Sequence, residues 1–122
     1  MRLFTRITGA ALLGFALLGL TGPPAFGNRT GGPASEIATV GAHESVHFDI
    51  PFNAFEPAVV SIAGSGVTSL ELFMSDADGH IVTGIGFEDR KTVSMAVYRA
   101  GTLHVEVINL GPQPNSFVIS TN

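Results

Sequence analysis

The sequence predicts an all-β protein: an antiparallel β-sandwich of jelly-roll or Greek-key type, with about eight strands, after a cleaved signal peptide. Three observations predict it. Apolar residues recur at every second position through most of the chain beyond residue 35, the period of a strand with one face in a core and the other in water. Glycine, proline, asparagine and aspartate break the apolar runs at short intervals. No segment after Leu20 carries the i, i+3, i+4, i+7 spacing of an amphipathic helix. Strands without helices to cover them bury their apolar faces against a second sheet. A small closed barrel is the alternative.

The chain opens on a leader. Arg2 and Arg6 precede fourteen uncharged residues, Ile7 to Leu20. Pro23-Pro24 ends the run, and Ala25-Phe26-Gly27 places small residues at the −3 and −1 positions of a cleavage site. Basic start, short apolar centre and small-x-small exit are the parts of a secretory signal peptide. The run is shorter than the roughly 20 residues a membrane span needs, and no cysteine follows it for lipid attachment. The expected organisation is therefore a signal peptide over 1–27, a flexible Gly- and Pro-containing lead-in over 28–35, and one β-sandwich domain over 36–122. The expected location is secreted or periplasmic, with no membrane contact after cleavage.

Composition narrows the partners. The full chain has 122 residues, 45% of them hydrophobic and 13% charged, a net charge of −4 and no cysteine. That apolar share is too high for a disordered chain. Lack of cysteine removes disulfide scaffolds, thiolate metal sites and thiol nucleophiles. Residues 28–122 keep four of the six basic residues and all ten acidic ones, net −6. Such a balance disfavours nucleic acid, whose phosphates call for clustered Lys and Arg.

Each strand has its own alternation. Val46, Phe48 and Ile50 alternate with His47 and Asp49. Leu70, Leu72 and Met74 alternate with Glu71, Phe73 and Ser75. Val93, Met95 and Val97 alternate with Ser94, Ala96 and Tyr98. Leu103, Val105 and Val107 alternate with His104, Glu106 and Ile108. Phe117 and Ile119 alternate with Ser116, Val118 and Ser120. Shorter runs at 37–40, 58–62 and 81–83 complete the set. Asp78-Gly79 is the clearest hairpin signal, since both residues tolerate the positive φ of a two-residue primed turn.

Chemistry is sparse. Asp76 and Asp78 set two carboxylates at one turn, and calcium takes six to eight hard oxygen donors of that kind. They are the candidate metal ligands, for calcium; no other cofactor is expected. The spacing of an EF-hand is missing, and an aspartate capping its own turn is the simpler role. His47 with Asp49, and His104 with Glu106, share strand faces. On neighbouring strands the four could hold zinc, although wet-face His–acid pairs are ordinary. His43 and His80 read as plain surface residues. Gly64-Ser65-Gly66 is not a nucleophile elbow. Gly84-Ile85-Gly86 lacks the third glycine and the helix of a dinucleotide loop. No catalytic set is expected. Phe52 and Phe55 read as lids on the sandwich end, and Phe73 and Tyr98 as aromatics on polar faces, open to sugar or protein.

Several stretches resemble one family. Thr68-Ser69-Leu70-Glu71-Leu72-Phe73-Met74-Ser75-Asp76-Ala77-Asp78-Gly79 is similar to the strand–turn block of bacterial pre-peptidase C-terminal (PPC) domains. Ala100 to Gly111 resembles their Gly-led penultimate strand, which ends in Asn-x-Gly, here Asn109-Leu110-Gly111. Asn115 to Ile119 resembles their closing strand, and Val46–Ile50 with Ala58–Ile62 resembles their opening. Ser69 stands where the family often has an acid, and Leu103 where an aromatic is common. The resemblance implies a calcium-tolerant jelly-roll sandwich, an accessory to exported peptidases that serves targeting, adhesion or matrix binding. The expected function is a non-catalytic binding or adhesion module for an extracellular or periplasmic protein or polysaccharide. A structural envelope subunit that assembles through a sheet edge and a small metal-dependent hydrolase are the alternatives.

Overall fold

The computed structural model describes residues 6–8 and 32–122. The rest of the expected leader and residues 28–31 of the lead-in lie outside the described residues; the first strand of the second sheet already begins at Ala34, two residues before the expected start of the domain. The described residues form ten strands: β1 (Arg6–Thr8), β2 (Ala34–Val40), β3 (Ser45–Phe52), β4 (Pro57–Gly64), β5 (Leu70–Ser75), β6 (Ile81–Thr83), β7 (Ile85–Phe87), β8 (Arg90–Ala96), β9 (Gly101–Asn109) and β10 (Asn115–Thr121). They form two antiparallel five-stranded sheets, ordered β1-β3-β9-β5-β6 and β2-β10-β4-β8-β7. Only β5–β6 and β7–β8 follow one another within a sheet. From β2 onward every other connection crosses between sheets, so nearly all pairing is long-range. Among the described residues, no helix is long and apolar enough to cross a membrane.

The alternation read from the sequence becomes the core. In β3 every second residue is buried: Val46, Phe48, Ile50 and Phe52. Leu70, Leu72 and Met74 of β5 and Leu103, Val105 and Val107 of β9 share that inner face. Ala58, Val60 and Ile62 of β4, Val93 of β8 and Phe117 and Ile119 of β10 meet them from the second sheet. Phe48 and Phe117 touch edge to face across the sheets, ring centroids 6.2 Å apart and planes at 87°, the arrangement their ring quadrupoles favour.

Three features differ from the sequence reading. β7 is a strand the Gly84-Ile85-Gly86 stretch concealed: Gly86 takes φ 145, and a Cβ there would run into the Arg90 carbonyl. The hairpin at Asp78-Gly79 has a five-residue connection rather than two. Gly79 alone takes a positive φ, 90°, and its N–H donates to the Asp76 carbonyl at 3.2 Å. Lys91 lies in phase with Val93 and faces inward. Its aliphatic stem is buried, and Nζ reaches the other sheet at the Leu70 carbonyl (2.9 Å) and Glu71 Oε2 (3.4 Å). A lysine can occupy such an edge because its stem packs while its head finds acceptors.

One end of the sandwich is closed by buried polar groups. Asn115 Nδ2 donates to the Thr68 carbonyl (3.0 Å) and to Asp89 Oδ2 (3.1 Å), and its Oδ1 accepts from Ser65 N–H (3.1 Å) and Oγ–H (3.0 Å). Asp89 Oδ2 also accepts the Gly66 N–H at 2.6 Å. A side chain at Gly64 would collide with that carboxylate. Asn109 Nδ2 binds the carbonyls of Gly41 (3.1 Å) and Gln113 (2.7 Å), while its Oδ1 accepts from Gly111 (2.9 Å). Buried amides that satisfy both donors and acceptors fix loops at little net cost, whereas losing one partner strands the others.

Phe48→Ala is expected to cost about 3–5 kcal/mol of unfolding free energy, measured by urea denaturation; a cost under about 1 kcal/mol would contradict the packing. Burial pushes the Asp89 carboxyl up, but hydrogen bonds from Asn115 and the Gly66 N–H outweigh it and hold the group below its ordinary 3.8. A depressed carboxyl contributes stability above the unfolded-state value and loses it as pH falls through the folded-state value. Asp89→Asn should therefore flatten the loss of thermal stability below about pH 4; an unchanged acid limb would contradict this.

Candidate functional site

At the opposite end the β5–β6 turn (residues 76–80) and the β8–β9 connection (97–100) flank a cleft of ≈ 410 Å³ and touch across its mouth through Asp78 and Arg99. Its floor is apolar: Val82, Met95, Val97 and Leu103. Met95 and Leu103 sit at the cleft-side ends of β8 and β9, Val97 directly follows β8, and Val82 is the middle residue of β6. Asp76, Asp78 and His80 form one rim, Tyr98 and Arg99 the other. A concave apolar surface with a few convergent polar groups is the usual form of a ligand site.

The acidic rim is already organised. Asp76 Oδ1 accepts the N–H groups of Asp78 (3.0 Å) and His80 (2.9 Å), so this side chain caps its own turn. Its Oδ2 pairs with His80 Nδ1 at 2.9 Å. That hydrogen bond is the main reason Asp76 sits below 3.8 and His80 above 6.5. Asp78 spans the cleft mouth to Arg99, whose Nη2 lies 3.0 and 2.9 Å from its two oxygens.

The structure thus brings the two candidate calcium ligands together and adds His80, with ligand atoms of all three within 4.8 Å of one another. Each carboxylate already has a partner, and calcium there would displace Arg99 from Asp78 and His80 from Asp76. Sequence reasoning passed over Arg99 because it sits in a turn outside any periodic run.

The lid assignments separate. Phe52 is buried and caps the core. Phe55, read as a second lid, is instead 84% exposed. Its backbone takes φ 63, which turns the side chain outward, and its N–H donates to the Val97 carbonyl at 2.7 Å. A bulky residue in the left-handed region is uncommon and marks a place to examine for function. Tyr98, next to Val97, is 78% exposed.

The His–acid residues meet on a different surface. β3 and β9 are neighbours, with His47 opposite Glu106 and Asp49 opposite His104. All four project from the outer face of the first sheet, each half-buried or exposed. His47 Nδ1 lies 2.8 Å from His104 Nε2, His104 Nδ1 lies 2.8 Å from Asp49 Oδ1, and His47 Nε2 lies 3.6 Å from Glu106 Oε2. The shallow groove beside them holds Phe73, Ile81 and Ile108 with His104 and Glu106.

No family model and no curated protein matches the chain. Solved structures do. The Yersinia pseudotuberculosis-derived mitogen aligns over 75% of this chain and 85% of its own, at 11% identity and a TM-score of 0.52, a likeness of fold alone. The pre-peptidase C-terminal domain of collagenase from Bacillus anthracis aligns over 100% of this chain and 91% of its own, at 10% identity and a TM-score of 0.48. A de novo designed double-stranded β-helix covers 72% of this chain and 97% of its own, at 16% identity and a TM-score of 0.44.

The Asp76–His80 pair has a pH signature. His80, raised, contributes stability below its unfolded-state value and loses it as pH rises through the folded-state value; Asp76, lowered, contributes above 3.8 and loses it as pH falls. NMR titration should show the His80 imidazole protonating above 6.5, and Asp76→Asn should return it toward 6.5. A His80 titration indifferent to Asp76→Asn would refute the pairing.

Proposed function

We propose that this chain is an exported, non-catalytic binding module that takes its ligand in the open-end cleft. The observation that carries the reading is an exposed aromatic side chain, Tyr98, on the edge of a cleft with an apolar floor and a charged rim; Phe55, also exposed, is tied by its N–H to the carbonyl of Val97, the residue before Tyr98. Large aromatics left in water gain most from burial against a partner. An apolar floor flanked by Asp78, Arg99 and Tyr98 suits a sugar ring or an apolar side chain carried by an extracellular or periplasmic polysaccharide or protein. The resemblance to PPC domains supports an accessory role, and the leader supports export. Calcium at Asp76 and Asp78 belongs to the same proposal, as an ion that would release Arg99 toward the ligand.

Tyr98→Ala with Phe55→Ala should lower affinity for the bound polysaccharide or peptide at least tenfold, read by NMR-monitored titration of a panel of oligosaccharides and peptides. Thermal stability should barely change, because exposed positions contribute little to it. A ligand whose shifts map elsewhere, or one indifferent to both substitutions, would overturn the assignment.

Assembly through a sheet edge has its own support. β7 is an edge strand, and its Ile85 and Phe87 are 78% and 87% exposed. Exposed apolar edges invite pairing with another chain. If this edge is used, sedimentation should show an oligomer that Phe87→Lys dissolves; a monomer at all concentrations removes this reading.

A further inference from the structure

The outer face of the first sheet carries a second constellation, independent of the cleft reading. The sequence repeats a short pattern on two strands: His47-Phe48-Asp49 on β3 and His104-Val105-Glu106 on β9. Antiparallel pairing sets each histidine opposite the other strand's acid. The two imidazoles therefore lie on a diagonal, stacked with centroids 4.9 Å apart and planes 28° apart.

Proton placement follows from the partners. A carboxylate only accepts, so His104 Nδ1, 2.8 Å from Asp49 Oδ1, carries the hydrogen. His104 Nε2 then presents a lone pair toward His47 Nδ1, 2.8 Å away. On the far side of His47, Nε2 faces Glu106 Oε2 at 3.6 Å and Ser45 Oγ at 3.3 Å. His47 Nδ1 therefore donates the hydrogen that His104 Nε2 accepts, and His47 Nε2 accepts from Ser45. A metal ion bound by both inner nitrogens would take the place of that hydrogen, with His47 carrying its hydrogen on Nε2 instead, beside Glu106. Histidines backed by carboxylates on their outer side are how proteins orient metal ligands.

We propose that His47 Nδ1 and His104 Nε2 are the two protein ligands of a divalent transition-metal ion, copper ahead of zinc, with Asp49 and Glu106 positioning the rings from behind. Imidazole nitrogen selects such ions over calcium and magnesium, and copper leads the affinity order for nitrogen sites. With metal–nitrogen bonds of ~2.0–2.1 Å, two donors at a right angle stand about 2.9 Å apart and at a tetrahedral angle about 3.3 Å. The present 2.8 Å separation is close to the right-angle value, so copper asks the rings to turn toward a common point, and zinc asks them to spread as well. The remaining positions would be taken by water or by donors from a partner.

The test is titration of the untagged protein with CuCl₂, ZnCl₂ and, as control, CaCl₂, by calorimetry and by NMR of the histidine ring signals. One equivalent of copper should bind, with zinc weaker and calcium absent from this face. His47 and His104 signals should respond, and those of His43 and His80 should not. His47→Ala and His104→Ala should each weaken copper binding at least tenfold. Asp49→Asn should weaken it by roughly 10–100-fold without moving the site, and Asp76→Asn should leave it unchanged. Melting curves would verify that each variant is folded. The proposal fails if no saturable binding occurs, if the folded double variant His47→Ala/His104→Ala binds as tightly, or if binding disappears with Asp76→Asn.

Discussion

The pairing register of β3 against β9 is the constraint on which the rest of the molecule depends. Side chains in a strand alternate between faces, so one register decides two surfaces at once. With Phe48 opposite Val105 and Ile50 opposite Leu103, the apolar rows enter the core. The same pairing places His47, Asp49, His104 and Glu106 together on the outer face. A slip of β3 by one residue would bury His47 and Asp49 and expose Val46, Phe48 and Ile50, at several kcal/mol for each stranded charge or lost aromatic. The dry inner layer therefore also assembles the wet outer cluster.

The two ends solve the problem of loops differently. Around Asn115, Asp89 and Asn109, buried polar side chains take over backbone groups that no ladder satisfies, and each donor finds an acceptor. At the other end apolar residues around the strand ends line a cleft, while the Asp76 turn and the Arg99 loop meet over it through exposed charges. Exposed ion pairs hold weakly, so this mouth can exchange its internal partner for an external one. A sandwich whose core is filled has few other places to receive a ligand.

Much of this was legible in the sequence, and what was not has identifiable physical causes. The eight expected strands and their inward rows are present because polar and apolar residues contrast at period two. β7 escaped because Ile85 and Phe87 are both exposed and Gly86 interrupts them, so no contrast exists to read. Asp89, Asn109 and Asn115 are polar, and polarity signals surface until a tertiary network supplies partners. Lys91 follows the inward phase of Val93, a signal overridden by its charge. The turn at Asp78-Gly79 was legible in place but not in length, because the Asp76 side chain captures two N–H groups that a shorter turn would have left to the backbone. The separate fates of Phe52 and Phe55 rest on one left-handed φ that no residue type announces. Of the candidate site, Asp76 and Asp78 were readable as neighbours at a turn; Arg99 and the cleft floor depend on two loops meeting.

The most direct test of the β3–β9 register is a set of interstrand nuclear Overhauser contacts in the folded protein. The account expects backbone contacts that place His47 opposite Glu106 and Asp49 opposite His104. Contacts displaced by one residue along either strand would contradict it, and with it both the core and the outer-face cluster.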